Sequence, residues 1–86
     1  MEARLMGSAP FNVVIEMNSL YLARPSANAS DDTVAAWYRA KGRLHERIAA
    51  EGDDDAVQEL AYATASYEHA IRLERRSSAE ALRQTA

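Results

Sequence analysis

The sequence predicts an all-α fold: an antiparallel helical hairpin with an N-terminal third helix, or alternatively a short strand there, completed as a bundle by dimerisation. Three observations point to it. Two stretches, residues 31–51 and 54–76, carry apolar side chains at the i, i+3, i+4, i+7 spacing of a helix with one buried face. Only the acidic turn Glu51-Gly52-Asp53-Asp54-Asp55 separates them, and a turn that short forces the helices antiparallel. The chain has 86 residues, room for one domain with a modest core, and a two-helix seam alone is marginal.

In order along the chain, residues 1–7 have no pattern and are expected to be disordered. The N-terminal element, 9–23, reads two ways. As a helix, Ser8 caps it, Pro10 sits in its first turn, and Val13, Val14, Met17, Leu20 and Tyr21 form a stripe. As a strand, Phe11, Val13, Ile15 and Met17 point one way and Asn12, Glu16 and Asn18 the other, and the β-branched run favours it locally. The helix is preferred because a lone strand leaves its edge hydrogen bonds unmade. Residues 24–30 are a linker: Pro25 disfavours helix at Arg24, and small polar residues follow. Asn28-Ala29-Ser30 matches a glycosylation acceptor, a triplet common by chance and accompanied here by no secretion signal.

In the helix over 31–51, Val34, Trp37, Tyr38, Leu44 and Ile48 share one stripe, with Lys41 and His45 as its polar members. Ser30, Asp31 and Asp32 offer oxygens to the free N–H groups of the first turn, and Gly52 is the natural stop. In the helix over 54–76 the stripe expected to face the core is Val57, Leu60, Thr64, Tyr67 and Ile71. Ala56, Ala63 and Ala70 flank it every seven residues, a side that lets a neighbouring helix approach closely. Tyr62 and Leu73, with His69 between them, form a second apolar strip opposite the first. Such a helix is expected to be sandwiched, by the N-terminal segment, or by a second protomer or another protein. Arg43 and Arg47 should lie near the acidic start of the second helix. Ser77 and Glu80 form a capping-box pair, so 77–86 reads as a tail or a short separate helix.

Charge is balanced over residues 1–30 and 31–52 and reaches −3 only over 53–86. Such a chain lacks the broad positive footprint of a nucleic-acid binder. It has no cysteine, hence no thiol nucleophile and no cysteine-ligated zinc. No apolar run approaches a membrane span, so no membrane partner is expected and the location defaults to the cytoplasm. Alanine and arginine richness looks bacterial.

Candidate site residues follow from position. Arg39, Arg43 and Arg47 repeat at i+4 on one outward face, a candidate anion-binding edge or simply a solvated one. Neither His45 nor His69 has the i, i+3 or i, i+4 partner of a bundle metal site, so both read as structural and no metal or cofactor is expected. Trp37 and Tyr38 are adjacent and cannot both sit deepest in a seam, so one is expected at an edge as a contact anchor. With Tyr62, His69 and Leu73 they make the candidate interface.

The functional expectation is a non-enzymatic helical protein–protein interaction module, a small regulatory or adaptor protein acting as a homodimer. The alternative is a nucleic-acid-associated regulator using the Arg39/Arg43/Arg47 face. The third reading, a small-molecule- or metal-binding bundle built on His45, Tyr67 and Glu68, is the weakest, since nothing in the sequence places those three together.

Overall fold

The computed structural model describes residues 12–52 and 54–85, and these form three helices and no strand. They are α1 (Val13–Leu22), α2 (Asp31–Ala50) and α3 (Ala56–Thr85). Residues 1–7, Ser8, Pro10 and Phe11 lie outside the described residues.

The N-terminal element is therefore helix, and the strand alternative is not adopted. Its cap is Asn12, whose Oδ1 accepts from the Ile15 N–H at 3.1 Å. Among the described residues α1 packs only on α2, and none of its residues is buried. The Trp37 indole N–H ties it there, donating to the Leu20 carbonyl at 2.9 Å. Leu20 lies in the last turn of α1 and Trp37 in the second turn of α2, so α1 folds back along α2.

The capping logic of α2 holds. Ser30 Oγ accepts from the Thr33 N–H at 3.1 Å, and Asp31 and Asp32 stand at the positive end of the helix dipole. Gly52 takes φ +82°, the left-handed conformation that ends the helix, and donates its N–H to the Ala49 carbonyl.

The seam between α2 and α3 is the body of the molecule, and it is made of small residues. Ala35 and Gly42 are buried on its α2 side and Ala63, Ser66, Ala70 and Leu73 on its α3 side, while the buried Leu44 lies on the other side of α2, towards α1. Ala35, Ala63 and Ala70 are at most 2 % exposed. Steps of seven along α2 (Ala35, Gly42, Ala49) are matched by steps of seven back along α3 (Ala70, Ala63, Ala56), the register an antiparallel pair requires. Two thin walls of this kind let the backbones approach closely. At Gly42 an added Cβ would lie 2.7 Å from the Tyr67 ring, which fills the space the glycine leaves.

The face of α3 is a correction to the sequence reading. Val57, Leu60 and Ile71, expected to face the core, are exposed, and the strip read as opposite the core supplies the buried Leu73. The reason is in the polar pairs that span the seam. Turning α3 so that Val57, Leu60 and Ile71 faced inward would carry Glu59 and Glu74 away from α2 and break their contacts with His45 and Arg39. The break expected at Ser77 is also absent. Alanine, glutamate, leucine and arginine after Ser78 are strong helix formers, so α3 continues to Thr85, helped by an i, i+3 pair between Glu80 and Arg83.

Because α2 is twenty residues long and α3 thirty, α3 overhangs. Arg76 reaches Asp31 at the first residue of α2, so the helix beyond Arg76 runs past the start of its neighbour. The molecule measures 60 × 24 × 20 Å, with a radius of gyration of 16.5 Å. A compact chain of this length would have about 12 Å.

Candidate interaction surface

The outer side of α3 carries uncovered apolar side chains, as α1 does at Val14, Ile15, Tyr21 and Leu22. At 100° per residue, Val57, Leu60, Thr64, Ile71 and Leu82 fall within one stripe, on which Glu68, Arg75 and Ser78 also lie. Their exposure decides the matter: Val57 is 83 % exposed, Leu60 50 %, Ile71 37 % and Leu82 70 %. No large side chain among the described residues is fully buried. Alanines thus make up much of the interior, with Leu44 and Leu73, while several of the larger apolar residues stay outside, unlike an ordinary globular core. Exposed apolar side chains lined up along one side of a helix and flanked by polar groups are the kind of surface that marks a contact site. Neither Glu68 nor Arg75 is hydrogen-bonded or ion-paired to another described residue.

A second apolar feature lies between α1 and α2. Met17, Leu20 and Tyr21 face Trp37, Leu44 and Ile48 across a groove of about 360 Å³, which Lys41 and His45 also line. Beside it stands a polar clasp. The His45 Nδ1 donates to Glu59 Oε1 at 2.6 Å, and Lys41 Nζ donates to His45 Nε2 at 3.1 Å. The carboxylate sets the tautomer with the proton on Nδ1. Both ring nitrogens are then engaged by protein groups, and no hydroxyl of a described serine, threonine or tyrosine bonds to either. The arrangement ties α2 to α3 near their turn. A general base would need a free nitrogen facing a substrate.

The expected site residues are all placed: Leu73 is buried, Trp37, Tyr38, Arg39 and His69 are half-buried, and Arg43, Arg47 and Tyr62 are exposed. Trp37 and Tyr38 meet edge to face at 5.1 Å, and Tyr38 meets the His69 ring at 4.2 Å. With the indole bond to Leu20, this aromatic file joins all three helices. Tyr62 lies against the His45 ring at 5.2 Å and accepts a bond from Gln58. Leu73 is buried in the seam. Arg39 is held in a two-pronged pair with Glu74, both bonds 2.7 Å. Arg43 is exposed, and Arg47 takes part in an interaction of its own. The arginine face is thus broken at its first member. His45, Tyr67 and Glu68 are not gathered. His45 is with Glu59, Tyr67 donates to Glu46 at 2.7 Å, and Glu68 stands on the outer stripe.

The electrostatics follow these pairs. The hydrogen bond from Arg39 holds the Glu74 carboxyl below its ordinary value, and the bond from Arg76 does the same for Asp31, burial opposing each slightly. Desolvation raises the Tyr67 phenol, reinforced by its bond to the Glu46 carboxylate.

Two features escape a reading of one helix at a time. Glu59 is the partner of His45 and comes from the opposite helix, fourteen residues on. The outer stripe was legible as apolar, but its exposure depended on which face the alanines claimed. Among the described residues no group of three or more histidine, cysteine or acidic side chains is placed to hold a metal ion, and no helix is long and apolar enough to cross a membrane. No protein-family model matches this chain, and searches of curated proteins and of solved structures return no match.

Proposed function

We propose that this chain is a non-enzymatic helical interaction module that works as a homodimer, a small regulatory or adaptor subunit whose contact surface is the outer side of α3. The observation that carries the reading is the inversion on that helix: Val57, Leu60, Ile71 and Leu82 stand in solvent while Ala63 and Ala70 are buried. A hairpin with an alanine seam gains little from its own core, since burial energy scales with apolar area. Covering the exposed fractions of the four outer side chains on each of two copies adds roughly 7–14 kcal/mol at about 1.5–3 kcal/mol per fully buried side chain. That is the order of the about 4–15 kcal/mol lost on association. The balance points to a reversible dimer of moderate affinity.

The nucleic-acid reading is weaker. It needs a row of available arginines, and Arg39 is engaged by Glu74.

Sedimentation equilibrium of the full chain over micromolar concentrations tests the proposal. A mass rising to twice the 9.5 kDa of one chain is expected. A mass that stays at one chain throughout overturns the homodimer.

A further inference from the structure

We infer that two copies pair through α3 in an antiparallel, two-fold arrangement centred on Ile71. This rests on the homodimer proposed above and adds its register.

The stripe is symmetric about Ile71. Eleven residues on either side stand Leu60 and Leu82, and eleven residues are close to three full turns, so all three share one line along the helix. Seven residues on either side stand Thr64 and Ser78, both small and polar. A two-fold axis through Ile71, perpendicular to α3, sets Leu60 of each copy on Leu82 of the other and Ile71 on itself.

The charges obey the same axis. Glu68 and Arg75 flank Ile71 at three and four residues, carry opposite signs and have no partner among the described residues. In the antiparallel pair each Glu68 meets the other copy's Arg75 to within one residue rise, about 1.5 Å. A parallel pair sets Glu68 on Glu68 and Arg75 on Arg75. Glu74, also close to the axis, is already neutralised by Arg39.

The overhang fits too. Leu82, 70 % exposed, lies beyond Arg76 and the start of its own α2, where nothing in its own hairpin covers it. The antiparallel pair lays it against the opening turns of the partner's α3. The groove along Ile71, Arg75, Ser78, Ala79 and Leu82 is the seat for that contact.

The chain has no cysteine, so single thiols report the register directly. Ile71→Cys should oxidise to a disulfide-linked dimer. Leu60→Cys and Leu82→Cys should each fail to cross-link alone and should cross-link when mixed. Glu68→Arg or Arg75→Glu alone should weaken the dimer roughly tenfold, and the double exchange should restore it to within about threefold. If Leu60→Cys cross-links to itself while the chain remains dimeric, the antiparallel register is overturned and the homodimer stands. If the chain is dimeric and none of the three cysteines cross-links, the α3 surface is overturned as the interface. If the unmodified chain is monomeric, both readings fall together.

Discussion

On its inner side α3 sets Ala63, Ser66 and Ala70 against Ala35 and Gly42 of α2; on its outer side it carries Val57, Leu60, Ile71 and Leu82 into solvent. The inner side is closed by fit. Small side chains bring the helices near, and the gap at Gly42 is filled by one ring. Polar pairs then lock the register: Arg39 with Glu74, Arg76 with Asp31 and His45 with Glu59. The outer side has no such devices within the chain, only area and two unmatched charges. The contrast teaches that side-chain size alone does not select the buried face. Here fit and polar pairing choose the inside, and the apolar area left over is available to a partner.

The strongest way to break this contrast is to enlarge the inner side. Ala70 is fully buried, so Ala70→Leu has no space for its added atoms. It should cost about 3 kcal/mol, read by urea unfolding, with a midpoint lower by about 12–24 °C on heating. A loss well under 1 kcal/mol would mean the seam has slack.

Gly42→Ala comes next. Its methyl would sit 2.7 Å from the Tyr67 ring, which must swing out and release Glu46. The gain in helix propensity of about 1 kcal/mol works against this, and a net loss of about 1 kcal/mol is expected. In a Tyr67→Ala background the same substitution should turn stabilising, because the obstacle is gone. A loss of equal size in both backgrounds would show that the ring is not the obstacle.

A smaller effect separates the polar lock from the apolar patch. Asp31 and Glu74 have depressed pKa values when folded, so their contribution is complete above their ordinary values and fades as pH falls through the folded ones. Stability should therefore decline on the acid side, and Glu74→Gln should flatten that decline. An unchanged acid limb in Glu74→Gln would show that the Arg39 pair does not couple to folding.

A modest change in fold stability is expected on the outer side. Ile71→Ser, at concentrations too low for association, should lower the unfolding free energy of one chain by only about 1 kcal/mol, since Ile71 is partly covered in the monomer. It should nonetheless abolish the rise in mass at higher concentration. A loss of several kcal/mol in the dilute chain would place Ile71 in the monomer's own core.

Much of the fold could be read from the residues themselves. Ser30 caps α2 and Gly52 ends it because their local chemistry suits those positions alone. The every-seventh alanines of α3 do face a neighbouring helix at close range. The phase of α3 was harder, because Val57, Leu60 and Ile71 dominate any reading weighted by side-chain size. The matching signal was on α2, where Ala35, Gly42 and Ala49 repeat the same spacing in reverse. Only comparing the two helices brings it out. The clasp of His45 with Glu59 is likewise invisible along one helix, since its partners meet across the turn.

The most direct measurement is the accessibility of individual methyl groups to a soluble paramagnetic probe, by NMR, at low and high protein concentration. The Ala63 and Ala70 methyls should be protected at both. Those of Val57, Leu60, Ile71 and Leu82 should be open in the dilute chain and become protected as concentration rises. Outer methyls that stay open even in the concentrated sample would contradict the claim that this face is covered by a second copy.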